Sequence, residues 1–206
     1  MDRAGIWQII IEERLGIRDL LRSLTPAQWD EPSLCDGWRV RDVAAHLIAN
    51  PQLDVAATLR FVGGMWRGYD TAVRLDGVRR GSAPVEQILD QWDRFAEVRR
   101  HPFVTSIREP LIDVLVHQQD IARPLGIRRD LNPAGVGEAI DRARLMAVAM
   151  GGGRLVRSVR MVATDADWQA GRGPEIRGPI GELLMLTCGR TATPGSVEGP
   201  GIAEPA

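Results

Sequence analysis

Asp113 and His117 stand four residues apart, and Asp120 follows three residues after His117. On a helix turning ~100° per residue, an i,i+4 pair lies only ~40° apart around the axis, so both side chains can converge on one point. A carboxylate oxygen and an imidazole nitrogen together suit Zn²⁺ and related divalent ions. Asp120, still near that face, can ligate as well or hold the His117 ring from behind. A helix pair supplies two ligands, and a working site needs a third. His46 is the best candidate, because it falls on or beside the apolar stripe Val40, Val43 and Leu47. The remaining histidine, His101, sits at a helix end before Pro102. Three protein ligands leave a fourth position for water or substrate, the arrangement of a catalytic rather than a structural site.

The same residues admit plainer readings, and spacing leaves both open. A histidine on an apolar face can be a hydrogen-bonded core residue. Asp113 and His117 can be a helix-surface ion pair. The apolar neighbours Ile112, Val114, Leu115 and Val116 leave the phase of this helix ambiguous. Cys35 precedes the His46 segment by a short loop, so it can approach the site, but packing as a structural thiol is the stronger expectation. Trp29, Trp38, Trp66 and Trp92 can line a pocket, but core packing is the stronger expectation for them.

These side chains need elements to hold them. Ile6, Ile10, Ile17, Leu21 and Leu24 recur at helical spacing and predict a long first helix. Thr25-Pro26-Ala27-Gln28 carries a capping residue, proline at the first helical position and glutamine at the third, so a short helix burying Trp29 should follow. The His46 helix is expected over about 39–50, stopped by Pro51. A further helix is expected over 52–62. Gly63-Gly64 and the polar stretch through Ser82 read as a partly folded, solvated connection. Pro84 opens another helix with Val85, Ile88, Leu89, Trp92 and Phe95 inward. The Asp113–His117 helix spans about 109–123, closed by Pro124 and Gly126. Asn132-Pro133 caps the next, which Gly151-Gly152-Gly153 should end. Beyond it, residues 155–164 read as a strand. Residues 168–170 and 175–177 flank Gly171-Arg172-Gly173 like a hairpin, and Pro179 to Cys188 reads as a short helix. The expected division is a helical bundle over 1–152, a small α+β appendage over 153–190 and a disordered tail over 191–206.

Composition excludes more than it selects. The 26 basic residues are all arginine, balanced by 27 acids to a formal charge of −1. Nothing here favours nucleic acid or a membrane surface as partner. The two cysteines, Cys35 and Cys188, form no CxxC pair, so neither a disulfide framework nor a cysteine zinc site is supported. The apolar run near the N-terminus is too short for a signal sequence, and no segment approaches transmembrane length. A cytoplasmic protein is the expectation.

Two longer motifs carry a family resemblance. Leu34-Cys35-Asp36-Gly37-Trp38-Arg39-Val40-Arg41-Asp42-Val43-Ala44-Ala45-His46-Leu47 resembles the signature of the mycothiol-dependent maleylpyruvate isomerase family, within the wider DinB-like superfamily. Asp113-Val114-Leu115-Val116-His117-Gln118-Gln119-Asp120-Ile121-Ala122-Arg123-Pro124-Leu125-Gly126 does so too. Ala163 to Trp168, Arg177-Gly178-Pro179 and Gly189-Arg190 resemble that family's C-terminal domain, which is larger than the piece here.

The resemblance implies a mainly α fold, a DinB-like four-helix bundle followed by the α+β appendage. It implies a bound divalent metal, zinc foremost, with His46 and His117 at the family's histidine ligands. Asp113 stands where the family's isomerases carry glutamate; being one methylene shorter, it would draw the metal closer to its helix or hold it more weakly. Arg190 aligns with an arginine of the isomerase reaction and is the catalytic candidate. Mycothiol is the implied thiol co-substrate and a small electrophile the substrate, while a homodimer is left open. A thiol on such an ion loses its proton at neutral pH and can add to a double bond and leave, as in an isomerase, or stay attached, as in a transferase. A metal-dependent hydrolase and a non-enzymatic binding or regulatory protein remain the alternatives.

Overall fold

Asp2 accepts a hydrogen bond from the Gly5 N–H at 2.8 Å and so starts α1 (Arg3–Ser23). Ile6, Ile10, Arg14, Ile17 and Leu21 recur every three or four residues along this helix, and all are at most 2% exposed. Each of these aliphatic side chains contributes roughly 1.5–3 kcal/mol of burial, so the stripe fixes which face of α1 turns inward. The capping box at Thr25 and Gln28 forms as expected and starts α2 (Pro26–Asp30). The computed structural model describes residues 1–52 and 69–202. The expected helix over 52–62 therefore lies almost wholly outside the described residues, as does Trp66.

The His46 helix, α3 (Val40–Leu47), is followed by a 3₁₀ turn over Asn50–Gln52. Residues 69–81, expected to be part of a connection, instead form α4 (Tyr69–Gly81). Two things explain the correction. Asp76 pairs with Arg79 and Arg80 at i+3 and i+4, 2.5 and 2.6 Å away, and so neutralises the arginine run along the helix. The two small residues Gly77 and Gly81 let α4 lie directly against Trp38 and Asp42 at the start of α3. Next come α5 (Val85–Phe95), which buries Ile88 and Trp92, and α6 (Arg108–Ala122). Trp92 donates its indole N–H to the Ala44 carbonyl at 3.2 Å, locking α5 onto α3. α6 packs against both α1 and α3. Leu111, Ile112, Val114, Leu115 and Val116 are all buried, so α6 is the central helix, apolar on nearly every side.

The chain divides into two units, residues 1–129 and 130–206. In the second, Asn132 accepts from Gly135 N–H at 3.1 Å and starts α7 (Pro133–Met146). The expectation from sequence groups this helix with the bundle; here α7 packs chiefly on the helix over residues 180–187. The helix ends before the triple glycine, whose role is close approach: a Cβ on Gly152 would lie 2.6 Å from the Thr187 carbonyl carbon. The expected strand over 155–164 begins as a short helix, α8 (Gly153–Ser158), and only Arg160–Ala163 forms β1.

β2 (Gln169–Gly171) and β3 (Glu175–Gly178) do not pair as a hairpin. β1 lies between them, antiparallel to β2 and parallel to β3. The Gly171-Arg172-Gly173-Pro174 link crosses one end of β1. Both glycines have positive φ, 91° and 114°, and a Cβ on either would collide with the Val159 or Ser158 carbonyl oxygen. α9 (Ile180–Thr187) packs on α7 and β1. The tail from residue 191, expected to be disordered, is tied down through Ile202. Glu198 pairs with Arg177 through two 2.8 Å backbone hydrogen bonds, and Gly201 donates to the Glu175 carbonyl. This free edge of β3 is what orders it. No helix among the described residues is long and apolar enough to cross a membrane.

Candidate metal centre

The site lies in the first unit, where the loop before α3 meets α6. That loop is stitched by backbone bonds. Ser33 N–H donates to the Trp38 carbonyl at 2.9 Å and Trp38 N–H to the Cys35 carbonyl at 3.0 Å. Gly37, at φ 71°, makes the reversal between them. Leu34 N–H donates to the Asp120 carbonyl at 3.1 Å, anchoring the loop to α6. The Asp42 carboxylate accepts from the Arg39 N–H at 2.9 Å and starts α3. His46 is thereby presented one and a half turns into the helix.

His46 and His117 come together. Their ring centroids are 5.3 Å apart, and the rings meet edge-on at 82°. Trp38 stands over both, 5.0 Å from His46 and 6.3 Å from His117. Two imidazoles bound to one tetrahedral ion at 2.0–2.1 Å would have centroids about 5 Å apart. The observed pair fits that spacing. Asp113, one turn before His117, accepts a 2.7 Å hydrogen bond from the Asn50 amide in the turn after α3. The first of these features bears on both histidines proposed from sequence; the second puts Asp113 in contact with the segment that follows His46.

A second group shares His117. The His117 Nδ1 lies 2.8 Å from Asp120 Oδ2 and 3.6 Å from the Cys35 sulfur, and the Cys35 thiol donates to Asp120 Oδ2 at 3.1 Å. Cys35, His117 and Asp120 offer ligand atoms all within 4.8 Å of one another. The 2.8 Å spacing is nevertheless that of a hydrogen bond. A nitrogen and an oxygen sharing a tetrahedral ion would sit about 3.3 Å apart. Nδ1 is therefore read as a donor to Asp120, which leaves Nε2 as the ring atom open to a ligand.

The charges follow from this packing. Burial, reinforced by the neighbouring His117, drives the His46 pKa down to about 3, so its ring is neutral. Burial would also lower His117, but the Cys35 sulfur and the Asp120 carboxylate outweigh it and raise the ring to about 10. Burial pushes the Asp113 carboxyl above the ordinary carboxylate range, and His117, the Asn50 amide and Arg14 hold it back. Arg14, 1% exposed on the inner face of α1, donates to the Val98 carbonyl at 3.1 Å.

Of the two roles open for Asp120, the geometry favours the one behind the ring. Cys35, expected chiefly as a structural thiol, instead approaches the site, because the loop anchored on Asp120 carries its sulfur there. Asn50 and Arg14 were not singled out for the site from sequence, while Trp38 was weighed as a pocket residue with core packing as the stronger expectation. Arg190 belongs to the second unit, where its guanidinium donates to the Cys188 carbonyl at 2.7 Å.

Residues 12–122 match the family model described as the mycothiol maleylpyruvate isomerase N-terminal domain. Among solved structures, the chain is similar to a histidine-to-alanine mutant of the mycothiol-dependent maleylpyruvate isomerase, with TM-score 0.69 and 12% identity, covering 100% of this chain and 95% of that one. A further structure of the mycothiol-dependent maleylpyruvate isomerase aligns with TM-score 0.56, also at 12% identity and with the same coverage. At that identity the likeness is one of fold. No curated protein matches the sequence.

Proposed function

Because the chain belongs to the mycothiol maleylpyruvate isomerase N-terminal domain family, we propose that it is a metal-dependent, thiol-using isomerase or transferase acting on a small electrophilic molecule in the cytoplasm. The observation that carries this reading is the 5.3 Å, edge-on pairing of His46 with His117. In this reading His46, Asp113 and His117 hold a divalent ion, Zn²⁺ foremost, and mycothiol is the thiol co-substrate. When bound, the ion would supply Lewis acidity that lets a thiol ionise at neutral pH.

The chain's own residues do the rest. Asp120 accepts the Nδ1 proton and fixes the His117 ring. His46 is kept neutral by burial, the state in which an imidazole ligates. Asn50 steadies the Asp113 carboxylate that aspartate's shorter reach would otherwise leave less constrained. Trp38 covers both rings and limits water on that side. Arg190 is the proposed catalytic residue, on the resemblance of Gly189-Arg190 to the family's C-terminal domain.

Elemental analysis and turnover test the proposal together. One equivalent of metal is expected per chain, lost in His117→Ala and in His46→Ala, with product formed only when a low-molecular-weight thiol is present. Arg190→Ala should keep the metal and lose turnover. A wild-type protein that takes up neither Zn²⁺ nor Ni²⁺ would sink the metal-dependent reading. Turnover without thiol would point to a hydrolase instead.

A further inference from the structure

The Cys35 sulfur lies on the far side of His117 from the ligating nitrogen assigned above, so that reading gives it no work. Its position is nevertheless well determined. The Leu34 N–H to Asp120 carbonyl bond ties the preceding residue to α6 at 3.1 Å, and the Ser33 hydroxyl accepts from Cys35 N–H at 3.1 Å. The sulfur is delivered 3.1 Å from Asp120 Oδ2, the oxygen that also faces His117 Nδ1 at 2.8 Å. Asp120 is fully buried.

We propose that Cys35 is a positioning residue: its thiol donates to Asp120 Oδ2 and pins the oxygen that receives the His117 Nδ1 proton, so that a three-membered chain from the loop sets the orientation of the ring. The inference rests on the metal-centre reading for its purpose, but not for its geometry.

A carboxylate with one hydrogen-bond partner at an oxygen can rotate about its Cβ–Cγ bond. A donor from a different segment adds one more bond that this rotation must break. Buried groups that orient a metal-binding histidine commonly change metal affinity about 10–100-fold when removed. Cys35 acts one bond further out, so the lower end of that range is expected. The alternative occupation of the same three atoms, a metal held by Cys35, His117 Nδ1 and Asp120, predicts a different spectroscopy.

The test compares Cys35→Ala and the bulkier Cys35→Val, which remove the donor, with Cys35→Ser, which keeps one. In the metal-free protein, the His117 Nδ1 proton should give a low-field, slowly exchanging NMR signal. It should broaden or vanish in Cys35→Ala and Cys35→Val and return in Cys35→Ser. Zn²⁺ affinity should fall about tenfold in the first two and recover in the third. Cys35→Ala should add little to Asp120→Asn, since the two act through one bond.

An unchanged Nδ1 signal in both donor-free variants would overturn the proposal, as would additive losses in the double variant. So would a sulfur-to-metal charge-transfer band in the Co²⁺-loaded protein that disappears in Cys35→Ser, because it would make Cys35 a ligand. If the wild type binds no metal at all, the proposed function fails while the metal-free NMR comparison still decides the role of Cys35.

Discussion

His46 is buried as a neutral ring with a pKa near 3, against an ordinary value of 6.5. The metal-free fold is therefore favoured while His46 is uncharged, and that favour is lost as pH falls below about 6.5, by about 1.4 kcal/mol per unit. His117 has the opposite sign. Its pKa is raised to about 10, so its contribution is complete below 6.5 and is lost as pH climbs towards 10. Urea titration of the chelated protein should show His46→Gln less acid-sensitive than wild type, by about 2 kcal/mol at pH 5. Equal acid slopes in the two proteins would contradict a neutral buried His46. The His117 and Asp120 positions were legible from spacing, because i+3 and i+4 neighbours on one helix must share a face. Cys35 was not, since its contacts span 82 and 85 residues and nothing local marks a loop thiol that will meet a distant helix.

Among the elements, α4 shows where sequence patterning fails. Its surface is rich in charge and it carries two glycines, features that read as a solvated connection. The glycines are contact points. A Cβ on Gly77 would lie 2.7 Å from Trp38 Cε2, and one on Gly81 would lie 2.7 Å from the Asp42 Cα. Gly77→Ala should therefore displace the Trp38 ring and shift its fluorescence, at about 1–3 kcal/mol in stability, and weaken metal uptake if His46 ligates as proposed. Gly137→Ala in α7, where an added Cβ meets nothing within 4 Å, is the control and should be neutral or stabilising. Unaltered Trp38 fluorescence in Gly77→Ala would refute the contact. The helices α2 and α7 were readable because their start signals are local, and α1 because its apolar stripe repeats at helical spacing. The order β2-β1-β3 was not, because which strand lies between two others is a long-range choice.

At the scale of the whole chain, the boundary after Arg129 falls earlier than the Gly152 boundary expected from sequence. The reason is that α7 is amphipathic either way, and amphipathicity names a buried face without naming the partner that buries it. All the donors and supporting residues described for the metal centre, from Arg14 to Asp120, fall within residues 1–129. A fragment of those residues should bind Zn²⁺ with the affinity of the full chain, measured by competition with a chromogenic chelator. A much weaker fragment would mean that residues 130–206 supply a donor or stabilise the site.

The raised pKa of His117 has one more consequence. At neutral pH the metal-free site already holds a positive charge, that of the His117 imidazolium, faced by the Cys35 sulfur and the Asp120 carboxylate. If the proposed metal binds, its loading is an ion exchange, one proton out for one cation in. Apparent affinity should climb about tenfold per pH unit between pH 7 and 9, and calorimetric heats should vary with the buffer's ionisation enthalpy. A pH-independent affinity over that range would show that His117 enters the reaction already neutral.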